Sequence, residues 1–218
     1  MNRTTHTTAA PRLRSDQGVA LVEAAFITPV LLVLVLGMLE YGLLFRDYLT
    51  VSDAAANGAR VGAIQGPDTS VAGDTADQAI VASIREDLAN IRYTSIDRIV
   101  VFRAGPPGAG APLAQVPESC KTGAAPRGDT VARCNIYAAY DAFLAVQAPD
   151  PAYFKCGGAN AVACGWDPTG RVDGPKIADI EYLGVYLKLD RPMVTGVFGR
   201  RTTLEVASIV RLEPGQLT

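Results

Sequence analysis

The chain has 218 residues and a formal net charge of −2, so it can hold one or two domains and lacks the basic footprint of a nucleic-acid binder. Its 21 glycines and 14 prolines gather mainly in two later loops, which excludes a chain disordered throughout. No nucleic acid is expected among its partners.

Residues 1–17 (MNRTTHTTAAPRLRSDQ) are polar and carry Arg3, Arg12 and Arg14 against Asp16, the composition of a disordered arm. From Val19 to Leu39 the chain is apolar throughout, apart from Glu23 and the weakly polar Thr28. About 20 apolar residues at roughly 1.5 Å each span the ~30 Å hydrocarbon core of a bilayer. The competing reading is a buried helix of a soluble domain, but such helices are rarely apolar on every face for so long. A cleavable secretory signal needs a shorter apolar region and a small-residue site close behind it. Here the nearest small cluster, Ala54-Ala55-Ala56, lies beyond Arg46 and Asp47. The flank after the apolar run holds Glu40, Arg46 and Asp47, with no cationic excess to match the arm. The positive-inside rule then places the arm in the cytoplasm and the bulk of the chain outside. The expectation is a single-pass protein of the inner or plasma membrane, in contact with lipid, with residues 19–41 as its transmembrane helix.

Residues 42–64 (GLLFRDYLTVSDAAANGARVGAI) contain no proline and extend the helix. Leu44, Tyr48, Val51, Ala55, Ala59 and Gly62 recur every three or four residues, forming one stripe. Its alanine- and glycine-rich later half allows another helix to approach closely. Pro29 removes one backbone donor and is expected to kink the rod, and Gly66-Pro67 stops it. The remainder, residues 65–218, reads as one extracytoplasmic domain.

Within it, residues 74–90 carry an apolar stripe of Ala76, Ala79, Ile80, Ser83, Ile84 and Leu88, the pattern of a helix with Asp74 as N-cap. Residues 97–103 (DRIVVFR), 133–140 (RCNIYAAY), 177–189 and 202–212 read as strands. Gly184 breaks the alternation of the third and suggests a bulge. Residues 104–130 and 149–176 are turn-rich loops. The fold class is therefore α+β: a long N-terminal helix, about one further helix, and three or four mainly antiparallel strands.

The cysteines Cys120, Cys134, Cys156 and Cys164 all follow the apolar run, so the expected topology puts them in an oxidising compartment. Four cysteines allow three connectivities, and the local pairing of Cys120 with Cys134 and Cys156 with Cys164 is preferred here. A zinc site lacks the usual C-x-x-C spacing, and no metal or other cofactor is expected. The lone histidine is His6, in the arm, and there is no G-x-S-x-G or phosphate-loop motif. The chain is read as a non-enzyme. Tyr153, Phe154 and Trp166 are expected to cover the small core rather than form an exposed patch.

Glu23 is the sharpest single residue. A carboxylate in the middle of an apolar span costs about 2.5–3.5 kcal/mol and less near the interface. One reading is simply proximity to the membrane surface. The other needs a partner charge, which a cut after Gly18 would create: Val19 would carry a free ammonium, with Glu23 four residues on. Pairing the two, within a chain or between neighbours, offsets part of the burial cost of both.

A short basic leader ending in Gly18, an apolar helix after it and a glutamate at the fifth residue past the cut resemble the type IV pilin class of filament subunits. Within that class the chain resembles TadE-like pseudopilins of the tight-adherence pilus system. The resemblance rests on Gly18, Val19, Glu23, Pro29, Gly37, Glu40, Tyr41 and Gly42, continues through Ala54–Gly62 and returns at Ala207–Pro214. It implies a leader of residues 1–18 removed by a prepilin peptidase between Gly18 and Val19, with Glu23 aligning each subunit against its neighbours. It also implies helix packing along Pro29, Gly37, Gly42, Ala55, Ala59 and Gly62, and as partners other pilin-like subunits and the pilus assembly platform. One departure is Ala24, where phenylalanine is common in these families; Phe26 follows two residues later. The alternative of a different class is a permanently anchored extracytoplasmic binding or sensor domain, with an anchored hydrolase behind both.

Overall fold

The computed structural model describes residues 16–66, 75–91, 95–105, 115–123, 133–147, 150–156, 163–171, 181–196 and 199–213. Helix α1 runs without a break from Asp16 to Gln65, 50 residues with Pro29 inside it, which is about 75 Å of rod. Most of the expected arm lies outside the described residues, but Asp16 and Gln17 belong to the helix. The helix therefore begins ahead of Gly18.

Its first half is exposed. From Val19 to Leu39 the large apolar side chains are exposed, from 36% at Leu36 to 75% at Phe26. From Val51 onward one face is buried, with Val51, Ala54, Ala55, Ala59 and Ala63 in the core. The buried face differs from the predicted stripe at its start: Tyr48 is exposed, and Asp47 takes the inward position beside it. Small residues let a second helix, α2 (Ala76–Asp87), lie close against α1. A Cβ on Gly62 would come within 2.6 Å of Ile80 Cδ1, and one on Gly58 within 2.8 Å of Ile84 Cγ1. The helix expected to approach the small-residue face thus comes from the same chain. Thr75 caps α2, its side chain accepting from the Gln78 N–H at 3.2 Å, in the role assigned from sequence to Asp74, which lies outside the described residues.

The domain is α+β. Strands β1 (Ser95–Ala104), β2 (Cys134–Ala138), β3 (Ala163–Cys164), β4 (Tyr182–Pro192) and β5 (Arg201–Arg211) form one antiparallel sheet in the order β3-β2-β1-β4-β5. With β3 only two residues long, four strands make up most of it. Period-two alternation divides β1 between two cores. Ile99 and Val101 face α1 and α2, while Val100 and Phe102 face the opposite side with Val116, Ile136 and Tyr186. Burial on both faces marks β1 as a central strand.

Three local readings are corrected. Gly184 is not a bulge: it pairs in register with Phe102, and the register shift lies between Ile96 and Arg98. Its role is close approach, because a Cβ there would fall 2.2 Å from the Phe102 ring. The segment read as a strand to Tyr140 turns into helix α4 (Ala139–Gln147) after Ala138, and a short α3 (Glu118–Thr122) stands in the first loop. Alternation in β2 ends where Ala139, Ala142 and Ala145 begin a helical burial spacing. Tyr153, Phe154 and Trp166 are buried in the main core.

Candidate functional site

The features that bear on function lie along α1. Gly18 is the third described residue of α1, exposed, with open space where a side chain would be. Val19 and Glu23 are exposed on the same rod. Of the residues proposed for packing, Pro29 and Gly42 are exposed and Gly37 is buried. Ala55, Ala59 and Gly62 are all turned into the domain.

Where the apolar run ends, the domain takes hold of the helix. Glu40 is 1% exposed. Its carboxylate accepts the backbone N–H of Val194 at 2.8 Å and of Thr195 at 2.7 Å, and the Arg191 guanidinium lies 3.5 Å away. Arg191 Nε donates to Asp47 Oδ2 at 2.5 Å. These donors come from the end of β4 and from the β4–β5 turn, which Met193 closes by donating to the Arg200 carbonyl at 3.0 Å. Gly196 and Gly199 adopt positive φ of 67° and 124° within that turn, which glycine does at little steric cost. Two backbone donors aimed at one carboxylate make a small anion-binding concavity, and here its occupant is a side chain of α1. We call this contact the latch. Farther up the rod, Asn57 donates to Ser83 and Asp87, and the Ala63 carbonyl accepts the Glu213 N–H.

Sequence reading placed Glu40 in the flank of the apolar run and among the residues that carry the resemblance, without a role of its own. Its partners lie 151 to 155 residues away, so no local spacing could reveal them. A second buried carboxylate, Asp77, was missed for the same reason. It pairs with Arg171 and accepts from Asn135 Nδ2 and Tyr137 Oη, both at 2.7 Å. Arg171 lies over the Trp166 ring, 4.3 Å from its centroid. This cluster joins the start of α2 to β2 and to the segment after β3, and it is enclosed by the domain.

Cys120 is bonded to Cys134 and Cys156 to Cys164. The first bridge ties α3 to the start of β2 on the far side of the sheet, and the second ties the turn after α4 to β3. Among the described residues, no group of three or more His, Cys, Asp or Glu is placed to hold a metal ion.

Residues 18–60 match the family model of TadE-like proteins. The N-terminal segment is TadE-like. The match begins at Gly18 and lies entirely within α1, so the TadE-like segment takes in the exposed rod, Glu23, Glu40, Asp47 and the first part of the buried face. It does not extend to Ala207–Pro214 or to any strand. Comparison with curated proteins and with solved structures returned no match.

Proposed function

We propose that the chain is a membrane-anchored, pilin-like structural subunit of a tight-adherence pilus or a related secretion filament. A prepilin peptidase removes residues 1–18 on the cytoplasmic side, and the domain stands outside the membrane. The function is assembly and contains no catalytic step. The observation that carries this reading is the asymmetry of α1: one helix buries its second half in its own domain and leaves about 30 Å of apolar rod uncovered. Such a surface needs lipid or other apolar helices around it. The TadE-like match over that same stretch supports helices of related subunits as the second environment. Glu23 is suited to registering neighbours, since cutting at Gly18 would put an ammonium one helical turn away.

Mass spectrometry of the protein isolated from its native membrane tests this. A mature chain beginning at Val19 is expected, and Gly18→Ala should leave the leader attached. Glu23→Ala should be cleaved normally yet enter filaments poorly. A chain that keeps its leader under all conditions would instead support the permanently anchored binding or sensor domain.

A further inference from the structure

The latch determines how far down the rod the domain reaches. β4 runs antiparallel to α1: Glu213, just past β5 and beside the start of β4, meets Ala63, whereas Arg191 at the end of β4 meets Asp47 and Glu40. Among the described residues of the domain, those of the β4–β5 turn therefore lie nearest the apolar run, alongside its last residues. If the ~30 Å from Val19 to Leu39 is filled by lipid, the turn stands in the headgroup zone, which adds roughly 5–8 Å on each side of the hydrocarbon.

The exposed chemistry of the turn suits that depth. Val194 holds Glu40 through its backbone, while its side chain is 70% exposed. Arg200 and Arg201 are both exposed. Arg191, by contrast, is occupied by Glu40 and Asp47. The acid on the adjoining strand, Asp190, accepts the Thr203 hydroxyl at 2.8 Å. An apolar side chain beside outward guanidiniums matches a layer that offers hydrocarbon below and phosphate oxygens at its own level.

We propose that the described residues flanking the β4–β5 turn make a second membrane contact, in which Val194 enters the headgroup zone and Arg200 and Arg201 pair with phospholipid phosphates. The domain is then held at a set height by its helix and its turn together. This rests on the membrane-helix part of the reading above, and not on leader removal or filament entry.

The full-length chain, reconstituted in phosphatidylcholine vesicles with and without phosphatidylglycerol, provides the test. The native cysteines are disulfide-bonded, so Leu31→Cys, Val194→Cys and Glu213→Cys each offer one site for an environment-sensitive fluorophore. Nitroxide lipids should quench the label at 31 strongly. They should quench the label at 194 at least about twofold more than the one at 213, and more again when phosphatidylglycerol is present. Arg200→Gln with Arg201→Gln should abolish the phosphatidylglycerol increment. Emission of Trp166, the single tryptophan, verifies that each variant is folded. Equal quenching at 194 and 213 with strong quenching at 31 would overturn this proposal alone, as would an unchanged increment in the arginine pair. Cross-linking of the 194 site to a neighbouring chain, with lipid excluded, would overturn it in favour of a protein contact. Absence of quenching at 31 would overturn the membrane-helix reading as well.

Discussion

Two carboxylates show how single residues organise this chain. Asp77 and Glu40 are both buried, and each is surrounded by donors from distant segments. A buried charge is tolerated only when paired and hydrogen-bonded, so each carboxylate specifies which segments must meet. For Asp77 these are α2, β2 and the segment carrying Arg171. Asp77→Ala would strand the Arg171 guanidinium, the Asn135 amide and the Tyr137 hydroxyl in the core. The expected cost is about 3–5 kcal/mol, in line with removing one partner of a buried ion pair. The midpoint of chemical unfolding followed by Trp166 emission measures it, and Asp77→Asn, which keeps one acceptor, should lose less. An Asp77→Ala midpoint equal to that of the native chain would show the cluster to be energetically idle.

At the scale of elements, hydrophobic period and small-residue placement account for most of what forms. The long apolar run, the 3.6-residue stripe of α2 and the alternation of β1 could all be read along the chain. Gly184 could not be read correctly, because its neighbour is Phe102 on the paired strand. A glycine that interrupts alternation is compatible with a bulge or with a close approach, and only the register decides between them. Gly184→Ala should cost about 1–3 kcal/mol through overpacking against the Phe102 ring. Adding Phe102→Leu should recover part of that loss in the same unfolding experiment. If the double variant were no more stable than the single one, the ring contact would not be the cause. Helix α4 escaped notice because β2 leads into it directly, and a short apolar run reads equally well as strand or helix.

For the whole molecule, three buried phenols set an alkaline limit. Burial pushes the Tyr153 hydroxyl up to about 12, with Asp141 adding to the effect. Burial raises Tyr137 well above the ordinary tyrosine range, Asp77 beside it contributing, and burial and Glu205 raise Tyr186. The folded state therefore keeps protons that the unfolded chain releases near pH 10. Stability from this source is complete below about pH 10 and falls as the pH climbs toward the folded values. Thermal unfolding of the full chain in detergent should show a lower midpoint at pH 11 than at pH 9, and Tyr153→Phe should reduce the difference. A midpoint independent of pH across that window would contradict the burial of these hydroxyls.

The sequence by itself determined the rod, the α+β class and the strands by their approximate positions. Each of these is written in local composition or short-period spacing, where neighbours in the chain carry the information. Tertiary structure alone decided which helix covers the small-residue face, why Gly184 is a glycine, and that Glu40 receives the β4–β5 turn. Those outcomes depend on residues up to 155 positions apart meeting across a packed interface. A buried charge or a missing Cβ acquires its meaning only from the atoms that fold against it.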